Sequence, residues 1–110
     1  MTGEGTPHTF YYVYIIKNNN SNKLYIGSTN NLRRRLEEHQ KGKVFSTRSG
    51  REAGYTVVYY EAYFSEKDAR TREARLKHFG KAYQELKKRI KESLKGVGVH
   101  PTPFTENLNG

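Results

Sequence analysis

The sequence predicts an α+β domain built on a small, largely antiparallel sheet flanked by helices. Short runs rich in aromatic and β-branched residues occur at 10–17, 22–27 and 56–64, the composition of strands. Apolar residues at helical spacing mark a helix ending near 41 and two more at 66–78 and 81–95. The resulting order is strand, strand, helix, strand, helix, helix, and no internal repeat is present.

At 110 residues the chain is long enough for one domain with one modest core. The domain is expected over 10–95. It lies between a loosely ordered tail at 1–9, rich in Gly, Thr and Pro, and another at 96–110 that mixes Gly, Pro, Asn and Thr. Lys and Arg number 20 against 11 Asp and Glu, a net charge of +9 spread through the sequence. A polyanion is the natural partner, and RNA, DNA and an anionic membrane all meet that electrostatic requirement, as does the plainer reading of a solvated basic face. The absence of cysteine excludes disulfides and thiolate metal sites. His8, His39, His78 and His100 lack the spacing of a zinc cluster, so any metal would be held by oxygen. There is no signal-peptide-like start and no run of about eighteen apolar residues, which reads as a soluble, cytoplasmic protein with no membrane partner.

Each element has its local cause. The run Asn18-Asn19-Asn20-Ser21 forms the turn between the first two strands. Read as a four-residue loop, it sets Tyr14 opposite Tyr25 on one face of the hairpin, whereas a five-residue loop would separate them. Ser28, Thr29 and Asn30 offer caps for a helix that stops at Gly42. Leu32 and Leu36 form its apolar stripe, and Arg35 and His39, four residues apart, share a face. A loop over 42–54 carries Lys43, Arg48 and Arg51, a composition suited to a flexible segment that contacts phosphate. Ser65 and Asp68 open the next helix in capping-box fashion, and Gly80 is expected to end it. Tyr83, Leu86, Ile90 and Leu94 give the last helix its apolar side, with Lys87, Lys88 and Lys91 on a basic outer face.

Several residues carry chemistry, each beside a plainer reading. Tyr14 and Tyr25 are either sheet aromatics or phenols able to take a proton from water where positive charge lowers their pKa. Arg35 is either a solvated helix residue or a clamp for a phosphate and its developing charge. His39 could bind phosphate, relay a proton or cap the helix end. Glu73 falls on the inward stripe with Ala69, Leu76 and Gly80, where a carboxylate needs a partner. Either it pairs with an arginine such as Arg35 or Arg72, or it is the oxygen ligand of a Mg²⁺ that keeps most of its waters. The remaining tyrosines, Tyr11, Tyr12, Tyr55, Tyr59, Tyr60 and Tyr63, read as sheet and core residues, with stacking on bases as the alternative for any that are exposed.

Together, Tyr12-Val13-Tyr14, Tyr25-Ile26-Gly27, Arg35, His39 and Glu73 resemble the GIY-YIG nuclease family. The likeness covers about 10–94 and is to its small single-domain bacterial members, which are similar to the N-terminal nuclease domain of the excinuclease of nucleotide-excision repair. The resemblance implies a three-stranded antiparallel sheet flanked by helices, and metal-dependent hydrolysis of DNA phosphodiesters in a repair or recombination setting. It implies Mg²⁺ or Mn²⁺ on Glu73, Tyr14 as general base, Tyr25 as its partner in orienting water and phosphate, Arg35 stabilising phosphate charge, and His39 as phosphate contact or relay. Tyr12 stands where the first motif has glycine, and no asparagine lies between Asn31 and Asn107, where many relatives carry one after the metal-binding glutamate. Substrate binding falls to Lys43, Arg48, Arg51, Lys87, Lys88 and Lys91, with structure or strand state read before base sequence, or to a protein partner that delivers substrate. DNA is favoured over RNA, with branched, flapped or single-stranded forms as candidates. The competing readings are a nucleic-acid-binding module with weak catalysis and a basic ribosome-associated protein.

Overall fold

The computed structural model describes residues 9–95, so the expected tails lie outside the described residues except for Thr9. Strand β1 (Tyr11–Asn18) is followed by β2 (Leu24–Thr29), helix α1 (Leu32–Gln40) and a short 3-10 helix (Phe45–Gly50). Then come β3 (Tyr55–Tyr63), α2 (Glu66–His78), α3 (Gly80–Arg89) and α4 (Lys91–Lys95). The strands form one antiparallel sheet in the order β2-β1-β3. This is the three-stranded α+β architecture expected from the sequence.

The central position of β1 explains its composition. Val13, Tyr14, Ile15 and Ile16 are all nearly inaccessible to solvent, because the strand is covered on both faces. On one face Val13 and Ile15 join Ala69, Leu76 and Leu86 from α2 and α3. On the other, Tyr14 and Ile16 pack with Tyr55, Leu32 and Leu36, under α1. Each fully buried Leu or Ile contributes roughly 1.5–3 kcal/mol relative to exposure. A carboxylate hub also ties β3 to α2. Glu61 accepts from the Tyr59 and Tyr63 hydroxyls and from Arg72, whose Nε and Nη2 both lie 3.0 Å from it.

Four local expectations change. Tyr14 pairs with Gly27 and Tyr25 with Ile16, two residues out of the expected register. Even parity keeps both tyrosines on one face, as the loop is four residues long but runs over 19–22. Asn18 causes the shift. It stays in the strand, its backbone N–H donates to Lys23 O at 2.9 Å, and its Oδ1 accepts from the N–H groups of Asn20 and Ser21. The cap of α1 is Asn31, whose Oδ1 accepts from Arg34 N at 3.0 Å. Ser28 and Thr29 are held in β2 opposite Val13 and Tyr12 and so cannot cap. Gly80 begins α3 instead of closing α2, because Phe79 is already extended. The long last helix breaks at Ile90, and Lys17, buried at the end of β1, donates to Leu94 O from the short α4 beyond the break. A buried ammonium requires such an acceptor.

Leu86 is the residue through which α3 enters the core, at 2 % exposure. Leu86→Ala should lower stability by about 2–5 kcal/mol. Urea unfolding followed by circular dichroism should show this as a lower midpoint in one transition, and an unchanged midpoint would mean that α3 is not part of the cooperative unit.

Candidate active site

The site is built across the open edge of β2. Side chains from the α1 face and from the α2 face converge there on one cleft of about 450 Å³, lined by Tyr14, Tyr25, Arg35, His39, Glu73 and Lys77 among others. Tyr14 starts on the buried central strand, and its ring must pass over β2 to reach that edge. Gly27 makes the passage. A Cβ built on Gly27 would lie 2.3 Å from the Tyr14 hydroxyl oxygen and 2.6 Å from its Cζ. The glycine of the second tyrosine motif is therefore a gap through which a phenol crosses a strand.

The phenol meets two groups from α1. His39 Nε2 is 2.9 Å from the hydroxyl, and Arg35 Nε donates to it over 3.4 Å. The other ring nitrogen of His39, Nδ1, lies 2.7 Å from Thr47 Oγ1 in the 3-10 helix. Thr47 in turn donates its hydroxyl proton to Val44 O, and its carbonyl accepts from Tyr55 at 2.6 Å. With the Thr47 hydroxyl directed at Val44 O over 3.4 Å and the Tyr14 oxygen accepting from Arg35, the arrangement favours the tautomer in which Oγ1 accepts from Nδ1–H and Nε2 faces the Tyr14 O–H. Burial, reinforced by the positive Arg35, pushes the His39 pKa down to about 4. The ring is neutral at pH 7.

Burial also raises the Tyr14 pKa above its ordinary value and outweighs the downward pull of Arg35. The expectation that arginine charge would lower this phenol is corrected: desolvation wins, and the proton taken in any base step must have a second acceptor. His39 Nε2 is the acceptor in place. Arg35 itself is anchored by Glu38, with Nη1 2.9 Å from Oε1, which keeps its guanidinium at the cleft wall. Tyr25 lines the same cleft and packs edge-on against Tyr55, with ring centroids 5.8 Å apart.

Glu73 comes from the opposite face. Ser28 Oγ donates to its Oε1 at 2.6 Å, and Lys77 Nζ lies 2.7 Å from Oε2. Its partner is thus neither Arg35 nor Arg72, which is held by Glu61. The reason is helical spacing: Lys77 is four residues on, on the same strip of α2. Burial pushes the Glu73 pKa up, but the Lys77 ammonium and the Ser28 hydroxyl more than offset this, so the carboxylate is ionised at neutral pH. Among the described residues no group of three or more His, Cys, Asp or Glu could hold a metal. Among the described residues that line the cleft, Glu73 is the one carboxylate, and Lys77, 44 % exposed, can swing away. One carboxylate facing a wet cleft fits a Mg²⁺-like ion that retains most of its waters.

The predicted nucleic-acid-binding residues divide into two groups. Lys43, Arg48 and Arg51 are exposed around the 3-10 helix, beside the cleft residues Val44 and Ser46. Lys87, Lys88 and Lys91 converge with Lys17 and Lys95 on a separate groove, although Lys87 also sits 4.6 Å over the ring of the cleft residue Tyr83. Ser28, Thr47 and Lys77 were not singled out as site residues by the sequence. Ser28 directly follows the second motif, and Lys77 follows Glu73 at helical spacing, but nothing in the loop sequence marks Thr47.

Residues 10–85 match the family profile described as the GIY-YIG catalytic domain. The chain belongs to the GIY-YIG family. Membership implies a nuclease-type function and a nucleic-acid substrate for this domain. The GIY-YIG chain is also 34 % identical over 77 residues to a UPF0213 protein of Oceanobacillus iheyensis, covering 70 % of this chain and 86 % of that one. No solved structure matches it. No helix among the described residues of this GIY-YIG domain is long and apolar enough to cross a membrane.

Two outcomes test the geometry. In Gly27→Ala the new methyl must displace the Tyr14 ring. A stability loss of about 1–3 kcal/mol should accompany a shift of the His39 Nε2 resonance in ¹⁵N NMR, and an unmoved resonance would mean that the phenol does not depend on the gap. For His39, the unfolded ring binds its proton near pH 6.5 and the folded ring only near 4. The unfolded state therefore holds more protons between these values, and stability falls as pH drops through that window, by up to about 3 kcal/mol. Urea titrations across pH 4–7 should show this slope in the wild type and a shallower one in His39→Gln.

Proposed function

We propose that this GIY-YIG domain is a divalent-metal-dependent endonuclease that hydrolyses DNA phosphodiester bonds. The observation supporting the reading best is the convergence of Tyr14, Arg35, His39 and Glu73 on one cleft from opposite faces of the sheet. A structural role for each residue alone would not require them to meet at an open edge.

In this reading the scissile phosphate lies against Arg35, whose guanidinium offsets the charge that builds on the non-bridging oxygens. Tyr14 takes a proton from the attacking water while its own phenolic proton is bonded to His39 Nε2. With its pKa lowered to about 4 by burial and Arg35, the imidazole takes up that proton only once a bound phosphate offsets the Arg35 charge. Thr47 holds the imidazole in the accepting tautomer. Tyr25 borders the same space and orients water and phosphate. Glu73, with Lys77 displaced, would hold Mg²⁺ or Mn²⁺, and the ion would supply polarisation of the phosphate and stabilisation of the leaving oxygen. Ser28 fixes the rotamer of that carboxylate. Lys43, Arg48 and Arg51 extend the positive field beyond the cleft, and Lys87 does so from α3. Backbone contacts of this kind read strand state and shape more than base sequence, which suits branched, flapped or single-stranded DNA in a repair or recombination role.

The test is cleavage of labelled duplex, single-stranded, flap and branched DNA, and matching RNA, by the wild type and Glu73→Gln in Mg²⁺, Mn²⁺ or EDTA. Metal-dependent cutting by the wild type alone is expected, with Glu73→Gln binding DNA within about threefold of the wild type but cutting at least about 100-fold more slowly. Binding that weakens steeply with salt but never leads to cutting would replace this reading with a nucleic-acid-binding module.

A further inference from the structure

Phe45 is the most exposed of the large hydrophobic side chains described, at 80 %. An aromatic left in water calls for an explanation when the backbone that carries it is held firmly. Two residues on, Thr47 is fully buried, bonded to His39 and, through its carbonyl, to Tyr55. At the end of the same short helix Gly50 O accepts from Asn18 Nδ2 at 2.9 Å. The segment is thus fastened to His39, which lines the cleft, and to Tyr55 and Asn18 of the sheet. The residues on either side of Phe45, Val44 and Ser46, both line that cleft.

The Arg48 guanidinium lies 4.7 Å from the centroid of the Phe45 ring. A cation stacked on an aromatic, beside a basic loop, combines a π-face for a base with a charge for the adjoining phosphate. The other exposed aromatics stand away from the cleft. Phe10 and Phe64 pack edge-on against each other and Tyr60 packs on Tyr12, while Phe79, with Arg75 5.8 Å from its ring centroid, sits at the break between α2 and α3; none of the four is flanked in sequence by residues that line the cleft.

We propose that Phe45 and Arg48 form a stacking platform that takes an unpaired nucleobase next to the scissile phosphate, making Phe45 a specificity-determining residue for DNA with unstacked bases. The inference rests on the nuclease reading above and narrows its substrate. In intact duplex both faces of each base are already occupied, and extruding one costs a few kcal/mol. A single strand, flap or junction offers the face without that cost.

Binding of a 2-aminopurine-labelled single-stranded oligonucleotide and of a blunt duplex, in EDTA to prevent cutting, would be compared for the wild type, Phe45→Ala, Phe45→Leu and Phe45→Trp. The wild type and Phe45→Trp should quench the 2-aminopurine. They should also bind the single strand about 5- to 150-fold more tightly than Phe45→Ala and Phe45→Leu. Duplex affinity should stay within twofold throughout, and unchanged unfolding midpoints would confirm that all four proteins fold. Wild-type-like single-strand affinity in Phe45→Ala, or equal losses on single strand and duplex, would overturn the platform while leaving the nuclease intact. A wild type that binds neither DNA would overturn both.

Discussion

The site depends on one steric constraint: a tyrosine rooted in the buried central strand must reach the open edge of its neighbour. Tyr14 is 3 % exposed, yet it borders the cleft. Any side chain at position 27 would occupy the volume of its hydroxyl. The remaining geometry follows from that crossing. The hydroxyl emerges under α1, where Arg35 and His39, one turn apart, can both reach it. The imidazole needs a partner for its second nitrogen, and the 3-10 helix supplies Thr47, itself braced by Tyr55 of β3. The loop between α1 and β3 is therefore structured at its middle for the sake of a histidine eight residues upstream.

Two half-buried glutamates on the α2 face of the sheet illustrate how partner chemistry separates structure from function. Glu61 is saturated by a two-pronged arginine and two tyrosine hydroxyls, and those hydroxyls have their own pKa values pushed up to about 12, chiefly by burial. No lone pair is left for a ligand, and removing Arg72 would leave a half-buried carboxylate without its counter-ion. Glu73 has one hydroxyl and one mobile ammonium. In the proposed reading its ammonium partner would give way to a metal ion, an exchange for which Glu61 has no exposed cation to release.

Much of this was legible in the sequence, because strand composition, helical spacing and capping act locally. The three strands, the first two helices, the facing of Tyr14 and Tyr25, and the inward position of Glu73 follow from such rules. What escaped the sequence depended on tertiary contacts. The two-residue register shift came from Asn18 bonding across its turn, and the later cap at Asn31 from β2 retaining Ser28 and Thr29. The break at Ile90 accompanies a buried lysine that captures a carbonyl. The partner of Glu73 could have been read from the four-residue spacing to Lys77, whereas Thr47 lies in a loop whose composition carries no periodic signal. The raised pKa of Tyr14 was hidden for a related reason: sequence displays charges, but not the desolvation that opposes them.

The placement of the cleft also answers a problem common to sheets. An unpaired edge strand invites association with another strand, and short length and charged neighbours suppress it. β2 has only six residues. It is flanked by Arg35 with Glu38 from one side and by Glu73 with Lys77 from the other. A protein strand docking on this edge would have to desolvate those ion pairs, and their mutual attraction does not fully repay the lost hydration. In the proposed reading a phosphodiester backbone would instead pair with Arg35 and draw Lys77 away from Glu73. The charges that discourage strand pairing at β2 would then be the same ones that receive a polyanion.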